Sequence, residues 1–159
     1  MSTLTDKLVT FQLGDDYFAA DVHAVERVLR YAAPTSVPDM PDYIEGVMDY
    51  QGRVVPLVNL RRRFELPPVV SGAHTRTLIL NVSGEWIGVV VDAVTEVTPF
   101  DPASVSPPPK LFRGLAGEYL KGIVRHGDKL VIYLDVEELL STAERIALQQ
   151  AGTEALANE

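Results

Sequence analysis

The sequence predicts a mostly β protein, built as two similar small barrels on a shared apolar seam and followed by a C-terminal helix. Three observations carry this. First, the chain runs as short apolar stretches between glycine turns. The densest is Gly46 to Leu60, where Gly52 marks a reversal and Val54 to Leu60 is an apolar run interrupted by Pro56. Proline removes a ladder donor, so this strand is expected at an edge, a bulge or a bend. Second, the pattern repeats: Phe11, Leu13, Tyr17, Val25 and Val28 return as Leu80, Val82, Trp86, Val94 and Val97, 69 residues later (80 − 11, 97 − 28). Tyr43-Ile44-Glu45-Gly46-Val47 returns as Tyr119-Leu120-Lys121-Gly122-Ile123, 76 later (119 − 43). Two copies are a duplication, since a solenoid needs at least about three repeats. Third, Val136, Leu139, Leu140, Ala143, Ile146 and Ala147 recur at helical spacing.

The totals bound the function. With 159 residues, 47% apolar and 23% charged, the chain suits one ordinary domain or two small halves sharing a core. A net charge of −8 and a sequence pI near 4.8 argue against phosphate backbones and anionic membrane surfaces. A protein or a small molecule is the expected partner, with no nucleic acid and no membrane insertion. No cysteine is present, so there is no disulfide framework, thiolate nucleophile or cysteine zinc site. Met1 to Thr10 lacks a signal-peptide apolar block, and the expected location is the cytoplasm.

Taken in order, Leu8 to Leu13 alternates as a strand, Gly14-Asp15-Asp16 turns it, and Tyr17 to Ala20 returns as the second hairpin arm. Asp21 reads as the cap of a short helical turn with Val22, Val25 and Val28 on one face. Pro34, Pro38 and Pro41 make Ala32 to Tyr43 an extended connector to the strands Ile44 to Tyr50 and Arg53 to Leu60. Pro67, Pro68, Ser71 and Gly72 mark a mid-chain loop. A second hairpin, Thr77 to Val82 and Trp86 to Val91, turns at Ser83-Gly84-Glu85, with Trp86 facing the core as the counterpart of Tyr17. Pro107-Pro108-Pro109, within the connector Pro99 to Pro109, reads as a stiff spacer rather than a polyproline ligand. Asp135 and Glu138 are placed as cap and third residue of the final helix, with fraying beyond Gly152. The domain expected is 8–140, with a first barrel near 8–66, a second near 75–136, elements free to cross between them, and 141–159 as helix and tail.

Catalytic constellations are missing from this pattern. His23, His74 and His126 lie far apart with no second ligand at helical spacing, and no serine sits in Gly-x-Ser-x-Gly. No phosphate-cradling glycine loop occurs, and Asp15-Asp16 and Glu137-Glu138 suit a turn and a helix start. No enzyme activity, cofactor or metal is expected. Arg61-Arg62-Arg63 reads as a solvated face.

The motifs Phe11-Gln12-Leu13-Gly14, Pro38-x-x-Pro41, Ile44-x-Gly46-Val47 and Gly52-x-Val54-Val55-Pro56-Leu57-Val58-Asn59-Leu60-Arg61 occur in this order. Gly88-Val89-Val90-Val91-Asp92-x-Val94, Pro107-Pro108, Tyr119-Leu120-x-Gly122 and Leu130-x-Ile132-x-Leu134-Asp135 follow. From about Val9 to Leu140 the chain resembles the CheW family of bacterial chemotaxis coupling proteins. The resemblance implies two SH3-like five-stranded β-barrels. It also implies a non-catalytic adaptor between chemoreceptor cytoplasmic tips and the regulatory domain of a CheA-type histidine kinase, monomeric outside the array. The implied receptor mode is a helix in an apolar groove between the barrels. By motif position Val25 falls in the receptor-facing region, and Gly46, Gly88 and Gly122 match family glycines associated with binding.

Two positions depart from the family pattern. Where the family reads Asn-Leu-Arg-Gly, this chain has Asp49-Tyr50-Gln51-Gly52, so an arginine becomes Gln51, and the family's nearby glutamate falls on Arg27. Loss of a five-donor guanidinium at a contact is not conservative. The expectation is a divergent coupling protein whose partner contacts involve Arg27, Gln51 and Gly52 with altered charge. A kinase-binding module without receptor coupling, and a small-ligand-binding barrel, are the alternatives.

Overall fold

The computed structural model describes residues 6–112 and 115–157. The strands, in chain order, are β1 (Lys7–Leu13), β2 (Asp16–Asp21), β3 (Val25–Arg30), β4 (Ile44–Tyr50), β5 (Arg53–Asn59), β6 (Arg76–Val82), β7 (Glu85–Val91), β8 (Ala93–Pro99), β9 (Leu111–Phe112), β10 (Leu115–Ala116), β11 (Leu120–His126) and β12 (Lys129–Leu134). A one-turn helix α1 (Leu60–Arg63) follows β5, and α2 (Thr142–Ala157) ends the described chain. The sheets are β11-β12-β2-β1-β8 and β3-β6-β7-β5-β4, with β9 and β10 as a separate ribbon.

These sheets do not follow the sequence halves. The expected first barrel, near 8–66, keeps β1 and β2 but takes β8, β11 and β12 from the second half, while β3, β4 and β5 join β6 and β7. The cause is local. Asp21 caps a 3₁₀ turn over Val22–Ala24, accepting the His23 N–H at 2.8 Å, and this turn carries the chain off β2 and into the other sheet. Val25 and Val28, expected on a helical face, therefore lie in strand β3. β8 makes the reciprocal crossing to pair with β1.

The duplication is exact enough in register to be checked pair by pair. Phe11 opposes Phe18 as Leu80 opposes Ile87, and Phe11 opposes Val94 as Leu80 opposes Val25. The bulges at Leu120/Gly122 and Ile44/Gly46 match, as do the isolated bridges Ser106 to Ile123 and Thr35 to Val47.

Pro56 shows where the copies differ. β5 is an interior strand, not an edge: it pairs antiparallel with β4 and parallel with β7. β12 pairs with β2 over Val131–Tyr133, whereas the equally long β5 ladder to β7 covers Leu57–Asn59 and so starts two positions later in the repeat. Pro56, matching Ile132, has no N–H to offer, and the ladder begins one residue beyond it. On the β4 side it opposes Val47, whose N–H and C=O are both bonded to Thr35, so no donor is missed there.

The main core lies between the sheets. Phe11, Phe18, Phe64 and Tyr119 form an aromatic run with centroids 5.9, 6.0 and 5.3 Å apart, joined by Leu60, Leu78, Leu80, Leu139 and Leu140. Each sheet also curls around a smaller cluster of its own, one at Leu8, Ala19, Val124, Val131 and Tyr133 and the other at Val55, Ile79 and Trp86. Side chains from opposite edge strands meet and close each curl. His126 of β11 reaches Glu96 of β8 at 3.1 Å, and Tyr31, just after β3, donates to Glu45 of β4 at 3.4 Å.

The C-terminal helix begins later than expected. Asp135 caps only a 3₁₀ turn over Val136–Glu138. α2 is capped by Ser141 and Glu144, each accepting the other's backbone N–H at 3.1 and 2.8 Å. Its inner face is Arg145, Leu148 and Gly152, while Ala143, Ile146 and Ala147 are exposed. The helix continues to Ala157, where fraying beyond Gly152 is expected from the sequence, and residues 158–159 lie outside the described range.

Candidate partner-binding surface

The Gln51-Gly52 turn joins β4 to β5 with both residues at positive φ, 51° and 79°. This backbone suits a two-residue hairpin, and the Asp49 carboxylate accepts the Gly52 N–H at 3.0 Å. Gln51 is exposed, with its amide 3.4 Å from the Tyr50 hydroxyl. Beside it Arg53 stacks over Trp86, 3.9 Å from the ring centroid, and donates to the Gly84 carbonyl at 3.0 Å. Neighbouring hairpin tips are thereby tied into one rigid end.

Arg27 projects from the exposed edge strand β3, flanked by Glu26, Val28 and Arg30, and among the described residues its guanidinium has no hydrogen-bond or ion-pair partner. Arg27 and Tyr50 occupy the positions that Glu96 and His126 hold in the other sheet, where the two side chains bridge the edges. Arg27, Gln51 and Gly52 therefore mark the outer rim of one curled sheet. The other candidates lie elsewhere. Val25 is half-buried against the main core. Gly88 is central in β7, where a Cβ would stand 3.1 Å from Leu57 Cδ1. Gly46, at φ +151°, would place a Cβ 2.2 Å from the Thr35 carbonyl oxygen, and Gly122, in the other sheet, 2.3 Å from that of Ser106. These glycines let a connector lie directly on a bulged strand.

Two exposed valines were not singled out for binding in the sequence reading. Val28 is 41% and Val97 55% exposed, on edge strands β3 and β8 of different sheets. The 69-residue repeat had already paired them, and it is the signal that finds them.

The arginine run is not a solvated face. Arg61 grips both Asp92 oxygens, at 3.1 and 2.5 Å, and donates to the Pro67 carbonyl at 2.7 Å. Arg62 donates to the Asp42 carbonyl at 3.0 Å. Arg63 donates to Glu144 at 3.2 Å and lies over Tyr43, 4.1 Å from its centroid. Partial burial acts to raise the Asp92 carboxyl, but Arg61 and the Gly14 N–H outweigh it and hold it below the usual carboxylate range. Glu144 is likewise lowered: burial opposes, and the Tyr43 hydroxyl, the Ser141 N–H and Arg63 prevail. Burial and the bond to Glu144 push Tyr43 up to about 12, so it stays a neutral donor. Glu45 is raised by burial, and one of its oxygens has no partner.

Two duplicated curled sheets that exchange strands and leave Arg27, Val28 and the Gln51-Gly52 turn exposed define the fold class of a duplicated-barrel domain. The family model of the CheW-like domain matches residues 7–144. The chain belongs to the CheW family, whose members are non-catalytic adaptors of chemotaxis signalling. It is similar to the chemotaxis protein CheW of Treponema pallidum, with 31% identity over 142 residues, covering 87% of this chain and 84% of that protein. It is also similar to that of Klebsiella aerogenes, 32% identical and covering 89% and 86%. The crystal structure of the scaffolding protein TtCheW from Thermoanaerobacter tengcongensis superposes with a TM-score of 0.81 at 29% identity, covering 86% and 88% of the two chains. Among the described residues no helix is long and apolar enough to cross a membrane.

Proposed function

We propose that this chain couples chemoreceptor cytoplasmic tips to the regulatory domain of a CheA-type histidine kinase, in the cytoplasm and as a monomer outside the array. The observation that carries this is the unpartnered rim of Arg27 and Val28 beside the rigid Gln51-Gly52 turn, set on a family adaptor fold. Arg27, Gln51 and Gly52 touch a partner directly. Val25, Gly46, Gly88 and Gly122 act through the shape of the strands beneath. Two separate modest surfaces on one rigid body suit an array, because linkage raises avidity without any single strong contact.

Calorimetry against the genomically neighbouring receptor tip and, separately, the kinase regulatory domain, at two salt concentrations, tests the proposal. Binding to both at non-competing sites is expected. Arg27→Glu and Gln51→Arg each change affinity for one partner by roughly three- to tenfold, more at low salt. Unchanged affinity in both variants removes the rim from the interface. Binding to the kinase alone assigns the chain to an uncoupled regulator, and binding to neither removes the coupling role.

A further inference from the structure

The duplication pairs the interior of one curled sheet with that of the other, so each serves as a reference for its twin. In the β3-to-β4 sheet, Leu29, Met48 and Tyr50 pack with Val55, Ile79 and Trp86 in one apolar cluster. At the matching positions the β11-to-β8 sheet has Thr98 for Leu29, His126 for Tyr50 and Thr10 for Ile79. Three apolar side chains that fill one barrel are thus shorter or polar in the other. A cavity of about 230 Å³ opens there, walled by Leu8, Phe100, Val124 and Val131, with Thr10, Thr98, His126, Asp101 and Arg125 on its polar side.

Most polar groups around it are already engaged. Thr98 Oγ1 donates to Glu96 at 2.6 Å, His126 Nε2 lies 3.1 Å from the same carboxylate, and Ser104 donates to the Asp101 carbonyl at 2.6 Å. Asp101 in turn caps a 3₁₀ turn, accepting the Ala103 N–H at 2.9 Å. Thr10 is different: it is 7% exposed, and among the described residues its hydroxyl makes no hydrogen bond. The site therefore offers an apolar wall, one uncommitted hydroxyl and two charges of opposite sign on its lining, Asp101 and Arg125, which together favour neither an anion nor a cation. A neutral ring has the least hydration to lose on entering it, and an apolar cavity of roughly 150 Å³ is already large enough for benzene.

We propose that the mouth of the first barrel binds a small neutral aromatic molecule carrying one hydroxyl or N–H. Its ring lies against Leu8, Phe100, Val124 and Val131, and its polar group bonds the Thr10 hydroxyl. The Glu96–His126 contact between β8 and β11 bounds the entrance.

Phenol and indole, titrated into the full chain and followed by methyl carbon–proton NMR, test this. Saturable shifts at Leu8, Val124 and Val131 are expected, with a Kd on the order of 0.1–1 mM, and none at Val55. Thr10→Ile installs the side chain the twin barrel carries at this position, and weakens binding about tenfold or more while the amide spectrum stays folded. Thr98→Leu does the same should Thr10→Ile fail to fold. The absence of saturable shifts up to the solubility limit overturns the site. So do shifts that survive in a folded variant. Shifts elicited only by the kinase regulatory domain assign the mouth to a protein contact instead.

Discussion

Gly46 shows how a single residue can resemble a binding determinant while acting through the backbone. A Cβ there meets the Thr35 carbonyl oxygen at 2.2 Å and the backbone sits at φ +151°, so Gly46→Ala must displace the connector or the strand. The expected cost is about 2–4 kcal/mol in urea unfolding, and any loss of partner affinity should track the loss of folded protein. Gly52 differs: a Cβ there meets nothing within 4 Å, so Gly52→Ala strains only the turn, by about 1 kcal/mol. At this scale the sequence was legible where chemistry is local: the need for glycine at 46, 52 and 122 follows from turn and bulge geometry. It was not legible where a partner is distant. The fates of Arg61, Arg62 and Arg63 depend on Asp92, Asp42 and Glu144, up to 81 residues away.

At the scale of elements, Glu144 is the joint that holds α2 to the sheets. It accepts the Ser141 N–H, the Arg63 guanidinium and the Tyr43 hydroxyl, while Gly152 lets the helix approach Val47 and Val54. Glu144→Ala removes the cap reciprocity and two further bonds together, and should destabilise the protein by about 2–4 kcal/mol, with helical circular dichroism lost first on heating. The pH dependence follows in sign. The Asp92 and Glu144 carboxyls are held low in the folded state, so their stabilisation is complete above the unfolded values, roughly 3.9 and 4.3, and is lost as pH falls toward the lowered ones. Glu45 is raised, so its ionised form costs stability at neutral pH and that cost fades on acidification. Thermal midpoints should fall below about pH 4, and Asp92→Asn with Glu144→Gln should flatten that fall. The late start of α2 is written in the sequence as Ser141-Thr142-Ala143-Glu144, a capping box that competes with the pair Asp135 and Glu138. The strand character of Val25 and Val28 was also there: their counterparts Val94 and Val97 stand in β8, although a three-residue spacing alone suggests a helix.

For the whole molecule the duplication predicts the architecture but not its connectivity. Spacing of 69 and 76 residues identifies which strands are alike, and says nothing of which sheet each joins. That choice rests on the parallel pairs β2 with β12 and β5 with β7, contacts that no hairpin turn announces. Because each sheet holds strands from both halves, fragments 1–68 and 69–159 should each be unfolded alone by circular dichroism. Mixed, they should recover the native amide spectrum. Independent folding of either fragment would contradict the exchange. Unfolding of the intact chain should be a single transition by both tryptophan fluorescence and circular dichroism.

The mid-chain loop gives this exchange a practical meaning. Residues 67–74, from Pro67-Pro68 through Gly72, are exposed throughout, and a protease cutting there severs the only covalent tie between the halves. Since β1 and β2 are laced into a sheet with β8, β11 and β12, the two pieces remain one particle on a sizing column. A nicked adaptor keeps its shape and its rim, and denaturing electrophoresis alone reveals the wound.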